Sequence, residues 1–155
     1  MNVSVLNIDH DSVVDGEGLR TVIFFAGCPH HCLGCHNERS WDIKNGKIMD
    51  TQEVIQEILR NPLSDVTFSG GDPFFQPEAV LEIARAAKVR GKNIWSYTGY
   101  TLKQLQAIKN PAVQELLTII DVLVDGRFEI EKKDLTLLYR GSSNQQVIHL
   151  KEALA

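Results

Sequence analysis

The sequence predicts an α/β fold, with a mainly parallel, curved sheet laid out as an open partial barrel of βα units. Three observations point there. Short apolar runs alternate with stretches of helical periodicity, the signature of strands joined by crossover helices. Segments rich in Gly, Asp, Pro and Cys fall where those strands would end, the edge on which such folds bind ligands. The chain has 155 residues, too few for a closed eight-unit barrel, which takes at least about 200. No internal repeat or low-complexity stretch divides it, so residues 1–155 read as a single domain.

Each element has a local reason. Val22-Ile23-Phe24-Phe25 is a short apolar run that ends at Ala26-Gly27, as a buried strand would. Asp50 followed by Glu53 resembles a helix start; Val54, Ile55, Ile58 and Leu59 then share one helical face, and Asn61-Pro62 stops it. Val66-Thr67-Phe68-Ser69 is the next strand and runs into Gly70-Gly71-Asp72-Pro73. Pro77 suits the first turn of a helix carrying Val80, Leu81, Ile83, Ala84 and Ala87, and Gly91 ends it. Ile94-Trp95-Ser96-Tyr97 is a strand closed by Thr98-Gly99. Thr101 and Gln104 form a capping box for a helix with Leu102, Leu105 and Ile108, and a further short helix follows Pro111. Ile119 to Val124 reads as a strand ending in Asp125-Gly126, and Val147-Ile148-His149-Leu150 as the last one.

Composition excludes some classes of function. With 43% hydrophobic residues the chain can build a real core, and a formal net charge of −4 does not indicate a face for nucleic acid. No apolar run approaches the roughly 18 residues of a membrane span. Met1-Asn2-Val3-Ser4-Val5 lacks the basic-then-apolar pattern of a signal peptide, so a reducing cytoplasm is the expected location. Cysteine usage agrees with that expectation. All three cysteines lie in Cys28-Pro29-His30-His31-Cys32-Leu33-Gly34-Cys35, an odd cluster that makes no disulfide framework.

Thiolates are soft ligands that suit iron–sulfur clusters or zinc. Structural zinc usually fills all four positions from protein. Here His30, His31 or His36 would have to be the fourth ligand, and a C-x3-C-x2-C loop without a distant cysteine fits that arrangement poorly. It fits a cubane cluster with three protein-held corners and one open iron. Gly70 and Gly71, without a Cβ, allow backbone to approach a ligand closely, although Gly-Gly-Asp-Pro is also a common turn. Trp41 reads as a packing residue, and His30 and His31 as solvent-facing loop residues or donors to sulfide.

The C-x3-C-x2-C loop of Cys28, Cys32 and Cys35 resembles the signature of radical S-adenosylmethionine (SAM) enzymes. Asp15-Gly16-Glu17-Gly18-Leu19-Arg20, Phe25-Ala26-Gly27-Cys28, Gly34-Cys35-His36-Asn37 with Ser40-Trp41, and Phe68-Ser69-Gly70-Gly71-Asp72-Pro73 narrow the likeness. So do Trp95 to Tyr100, Val122 to Phe128 and Arg140-Gly141-Ser142-Ser143-Asn144-Gln145. Together they resemble the activating proteins of anaerobic (class III) ribonucleoside-triphosphate reductase, from Asp15 to Gln145.

That resemblance implies a radical SAM type of partial barrel. It implies a [4Fe–4S] cluster on Cys28, Cys32 and Cys35, whose fourth iron binds the amino and carboxylate groups of SAM. A reduced cluster would cleave SAM to methionine and a 5′-deoxyadenosyl radical, which takes a hydrogen from a glycine of the large catalytic subunit of the reductase. An electron donor such as flavodoxin or ferredoxin would supply the reductant. The loop of Gly70, Gly71 and Asp72 would hold the methionine ammonium, and Gly34, Cys35 and His36 the adenine. Gly34 stands where many superfamily members have an aromatic residue, so either the His36 ring or the local backbone would make that contact. Asp125 and Arg127 would touch the ligand or pair with each other; Arg140 to Gln145 would meet ligand or partner, or cap the last strand. Two other readings share the cysteine loop. One is a small radical enzyme of the pyruvate formate-lyase activase or 7-carboxy-7-deazaguanine synthase type. The other is a non-enzymatic metal-binding module.

Overall fold

The computed structural model describes residues 1–30 and 38–153. Seven strands form one sheet in the order β3-β1-β2-β4-β5-β6-β7. They span Asn2–Ser12 (β1), Arg20–Phe25 (β2), Lys47–Asp50 (β3), Asp65–Gly70 (β4), Ile94–Tyr97 (β5), Val122–Asp125 (β6) and Gln146–His149 (β7). The four central strands, β2, β4, β5 and β6, run parallel. The outer three do not: β1 is antiparallel to β2 and β3, and β7 to β6. The sheet is therefore mixed, and the expected parallel character belongs to its middle.

Helices α1 (Thr51–Leu59), α2 (Pro77–Val89), α3 (Leu102–Ala107) and α4 (Pro111–Ile119) provide the crossovers, and α5 (Leu150–Ala153) follows β7. Their starts follow the side-chain chemistry. Asp50 accepts from the Gln52 amide at the head of α1, Asn110 from Ala112 at α4, and Thr101 and Gln104 complete a capping box at α3. The amphipathic helices bury Val54, Ile58, Val80, Ile83, Leu105 and Leu116 in one cluster with Ile23, Phe25, Phe68, Ile94 and Leu123 of the strands. Because side chains alternate across a strand, Trp95, Val122 and Val124 fall on the opposite, helix-free face, in a second small cluster.

That second face is closed at the amino ends of the strands by the turn before β2. Arg20, 1% exposed, donates through Nε to the Glu17 carbonyl at 2.7 Å and through Nη1 to the Val66 carbonyl at 2.7 Å. Its guanidinium also lies 5.3 Å from the centre of the Trp95 ring. Thr67 Oγ1 donates to the Asp15 carbonyl at 2.7 Å. Gly16, at φ +128°, has no room for a side chain, since a Cβ would lie 2.8 Å from Arg20 Nε. The Asp15–Arg20 segment is thus a plug under the sheet, shaped by one buried arginine.

The remaining cover is the long connection from β6 to β7, which leaves and rejoins the sheet at the paired residues Asp125 and Gln146. Tyr139, at φ +63°, lays its ring edge against Trp95, centroids 5.1 Å apart.

Two sequence expectations need correction, and two strands lie outside them. Ile119 ends α4 and Ile120 caps it, its amide bonded to the Leu116 carbonyl at 2.9 Å, so the strand begins at Val122. Leu150 starts α5 and is not the end of the last strand. Strands β1 and β3 escape the sequence pattern. The alternation of β1 breaks at a register shift between Val5 and Asn7, and its second half is polar and largely exposed. Strand β3 lies at the sheet edge with Lys47 and Ile48 exposed.

Candidate functional site

All four central strands deliver their unusual loops to one edge. The carboxyl ends of β2, β4, β5 and β6 run into Ala26-Gly27-Cys28, Gly71-Asp72-Pro73, Thr98-Gly99-Tyr100 and Gly126-Arg127. Backbone hydrogen bonds join these loops to one another. The Gly71 amide donates to the Phe25 carbonyl at 2.7 Å, and that of Asp72 to the Gly27 carbonyl at 2.8 Å. Gly27 N–H donates to Ser40 O at 2.7 Å, Thr98 N–H to Val124 O at 3.0 Å, and Gly126 N–H to Tyr100 O at 2.8 Å.

Glycine is demanded here by neighbouring backbone. Gly70 has φ +97°, and a Cβ on it would lie 2.4 Å from both N and O of Phe25. A Cβ on Gly71 would come within 2.3 Å of the Gly27 carbonyl oxygen. The two glycines let β4 and its loop close onto the end of β2, directly beside Cys28. Cys28 itself is half-buried.

Asp72 organises this edge. Its side chain is fully buried, and both oxygens are occupied. Oδ1 accepts from the Phe74 amide at 3.0 Å, and Oδ2 from the Gly99 amide at 2.9 Å. Thr98 Oγ1 reaches both, at 3.1 and 2.9 Å. His30 Nε2 lies 2.7 Å from Oδ2. The Thr98 hydroxyl takes the Tyr100 amide as its own donor at 3.1 Å, which leaves its hydrogen for the carboxylate.

His30 is not solvent-facing, as its place between two cysteines suggested; its side chain is only 4% exposed. The ring also meets Tyr100 edge-on, centroids 4.5 Å apart. Burial pushes the Tyr100 hydroxyl pKa up, and the negative charges of Asp72 and Cys28 add to that rise. Tyr97, on the helix-free face, is likewise raised by burial and then by Asp15.

Asp125 and Arg127 do not pair with each other among the described residues. Asp125 is buried and accepts from the Leu102 amide at 2.9 Å and the Gln146 amide at 3.3 Å, tying α3 and β7 to the end of β6. Arg127 is exposed beside an open cavity of about 830 Å³ lined also by Gly99, Thr101, Asp125, Gly126 and Asn144. The Arg140–Gln145 segment bonds within its own connection. Arg140 Nη1 donates to the Gln145 carbonyl at 2.7 Å, and Gln145 Oε1 receives the amides of Gly141 and Ser142 at 2.8 and 3.1 Å.

Cys32, Gly34, Cys35 and His36, together with His31, lie outside the described residues. Among the described residues no group of three or more His, Cys, Asp or Glu side chains forms a metal site. Nor, among them, is any helix long and apolar enough to cross a membrane. The donor set fits a cluster in kind: Cys28 begins a run of three soft ligands, and Gly70 and Gly71 let the neighbouring loop pack against the backbone that leads into it. The residues that sequence reasoning underrated are Thr98, Gly99 and His30. Only the recurrence of special loops at strand ends pointed to the first two.

A match along most of its length places the chain in an iron–sulfur class. A family described as a 4Fe-4S single cluster domain matches residues 14–148. The anaerobic ribonucleoside-triphosphate reductase-activating protein of Escherichia coli K12 is 37% identical over 151 residues, covering 90% of this chain and 94% of the relative. Its Vibrio cholerae counterpart is 41% identical over 148 residues, covering 88% and 91%. A protein of the same description from Enterobacteria phage T4 is 33% identical over 141 residues, covering 86% of each chain. The chain belongs to the family of anaerobic ribonucleoside-triphosphate reductase-activating proteins.

Proposed function

We propose that this protein is a radical SAM activase, a single domain on a partial-barrel scaffold that generates a glycyl radical on anaerobic ribonucleotide reductase. Cys28, Cys32 and Cys35 would hold a [4Fe–4S] cluster with one iron open to SAM. When bound, that pair supplies one-electron cleavage of SAM to methionine and a 5′-deoxyadenosyl radical.

The chain's own residues position and shield. The backbone carbonyls of Gly70 and Gly71 would accept the methionine ammonium, and Gly34, Cys35 and His36 would face the adenine. Asp72 shapes the Gly70–Gly71 loop through its bonds to Phe74, Thr98 and Gly99. Arg127, exposed at the edge of the open cavity, faces the approach of ligand or protein. The large catalytic subunit of the reductase would bring its glycine to this edge and exclude water there. A cytoplasmic flavodoxin or ferredoxin would deliver the electron.

The observation that supports this most is the direct contact of two distant loops: Asp72 N–H donates at 2.8 Å to the carbonyl of Gly27, the residue before Cys28. A glycine pair and the first cysteine thereby share one strand edge, in a chain whose family is described by a single cluster.

Anaerobic reconstitution with iron and sulfide, then reduction in the presence of SAM, tests the reading. Methionine and 5′-deoxyadenosine should form, and added reductase should acquire a glycyl radical detectable by electron paramagnetic resonance. Cys28→Ala should abolish cleavage while far-UV circular dichroism stays unchanged. Bound zinc with no 5′-deoxyadenosine would reject it.

A further inference from the structure

Asp72 carries more bonds than a turn needs. A turn after a strand is satisfied by one Asx contact, which Oδ1 makes to the Phe74 amide. The other donors come from two other parts of the chain: Thr98 and Gly99 follow β5, and His30 lies two residues after Cys28 and two before Cys32. The carboxylate therefore joins three strand ends at one buried point. No room is left on it for a ligand's ammonium, since the Phe74 and Gly99 amides, the Thr98 hydroxyl and the His30 imidazole are four donors, matching the roughly four lone-pair sites of a carboxylate.

The neighbours are built around the imidazole. A Cβ on Gly99 would lie 2.3 Å from His30 Cδ2, so glycine at that position makes space for the ring. Tyr100 packs against it edge-on, centroids 4.5 Å apart. Backbone amides and the Thr98 hydroxyl supply the other hydrogens to Asp72, and the imidazole adds its own from Nε2.

We propose that Asp72 and His30 form a clasp that anchors the start of the cysteine segment, Cys28 to His30, for its cluster, and that Asp72 is a positioning residue with no side-chain contact to SAM. This rests on the cluster reading above. Groups held just outside a metal's ligands typically change metal affinity or activity by about 10–100-fold when removed. A loop fixed before loading also loses less freedom on binding.

The test compares wild type, His30→Ala and His30→Gln after reconstitution. A glutamine amide nitrogen reaches close to the position of Nε2 and can restore the bond to Asp72. Three properties are read: the half-life of cluster iron against a chelator, the midpoint potential of the cluster, and the SAM KM separately from kcat. His30→Ala should lose iron about tenfold faster or more and shift the potential. His30→Gln should return both to near wild type, and neither variant should alter the SAM KM beyond about twofold. Thr98→Val removes a donor from Asp72 without touching the cysteine segment, and serves if His30→Ala does not fold. It should speed iron loss by about two- to threefold.

Iron release at the wild-type rate in His30→Ala or, in its place, Thr98→Val would overturn the clasp. So would a selective rise in SAM KM in Asp72→Asn with iron retention unchanged, because that would make the carboxylate a ligand contact. Wild type that takes up no cluster would remove the cluster reading itself, and the clasp with it.

Discussion

Each end of the central strands holds an aspartate, half-buried at one end and fully buried at the other, and the two are satisfied in opposite ways. At the amino ends, Asp121 meets cations: Lys88 Nζ bonds Oδ2, and Lys151 Nζ lies 3.3 Å from Oδ1. The Ile94 amide adds a bond at 2.8 Å. At the carboxyl ends, Asp72 meets no lysine or arginine among the described residues; its partners there are two amides, a hydroxyl and an imidazole. A lysine pair closes a surface locally and tolerates movement. Donors held by three separate loops require those loops to be in place. The first arrangement stabilises the fold, and the second sets the geometry of a site.

The comparison can be broken by substitution. Asp72→Ala should be the most damaging change at either end. It leaves several buried donors unmatched, for about 3–5 kcal/mol lost in denaturant unfolding, and cluster loading should fall with it. Equal costs for Asp72→Ala and Asp121→Ala, with equal loading, would erase the distinction.

Gly70→Ala should cost about 3 kcal/mol, because the left-handed backbone and the 2.4 Å approach to Phe25 act together. A measured loss within 0.5 kcal/mol, roughly the scatter of an inert surface change, would show that β4 can move away from β2.

Lys88→Ala should cost about 1–2 kcal/mol and leave cluster loading untouched. Its pH dependence sharpens the contrast. Burial raises the Asp121 pKa, but the hydrogen bond and charge of Lys88, with the Ile94 amide, outweigh burial and hold it below the ordinary value. A depressed carboxyl stabilises the fold above its unfolded pKa, about 3.9, and loses that contribution as pH falls through the folded value. The gap between wild type and Lys88→Ala should therefore be full above about pH 5 and close on acidification. A gap that widens in acid would contradict this assignment.

Leu135→Ser, at an 86% exposed position on the connection from β6 to β7, should change stability by no more than about 0.5 kcal/mol. Thermal unfolding checks it.

Much of this molecule was legible beforehand, and the exceptions have physical causes. Strands β2, β4, β5 and β6 are short apolar runs that end at or just before glycine, helices α1, α3 and α4 carry side-chain caps, and α2 starts at a proline. Strand β1 was missed because a register shift interrupts its alternation and half of it is polar. The strand expected from Ile119 starts late because Ile119 and Ile120 suit strand and helix equally, and the helix keeps Ile119 as its last residue with Ile120 as its cap. At the site, cysteine spacing pointed to a cluster and strand-end glycines marked the edge. His30 gave no such signal, since nothing local distinguishes a buried imidazole from an exposed one.

Sequence alone determined the chemistry on offer: three soft ligands in eight residues, and glycines at the ends of apolar runs. Spacing along a chain can specify this because ligand reach and backbone freedom are local properties. Only the tertiary structure decided which loops meet, that Asp72 is saturated, and that Gly70 and Gly71 are required by the backbone of β2. Those outcomes depend on contacts between residues some 26 to 46 positions apart, and burial in that shared space determines how each polar group is satisfied.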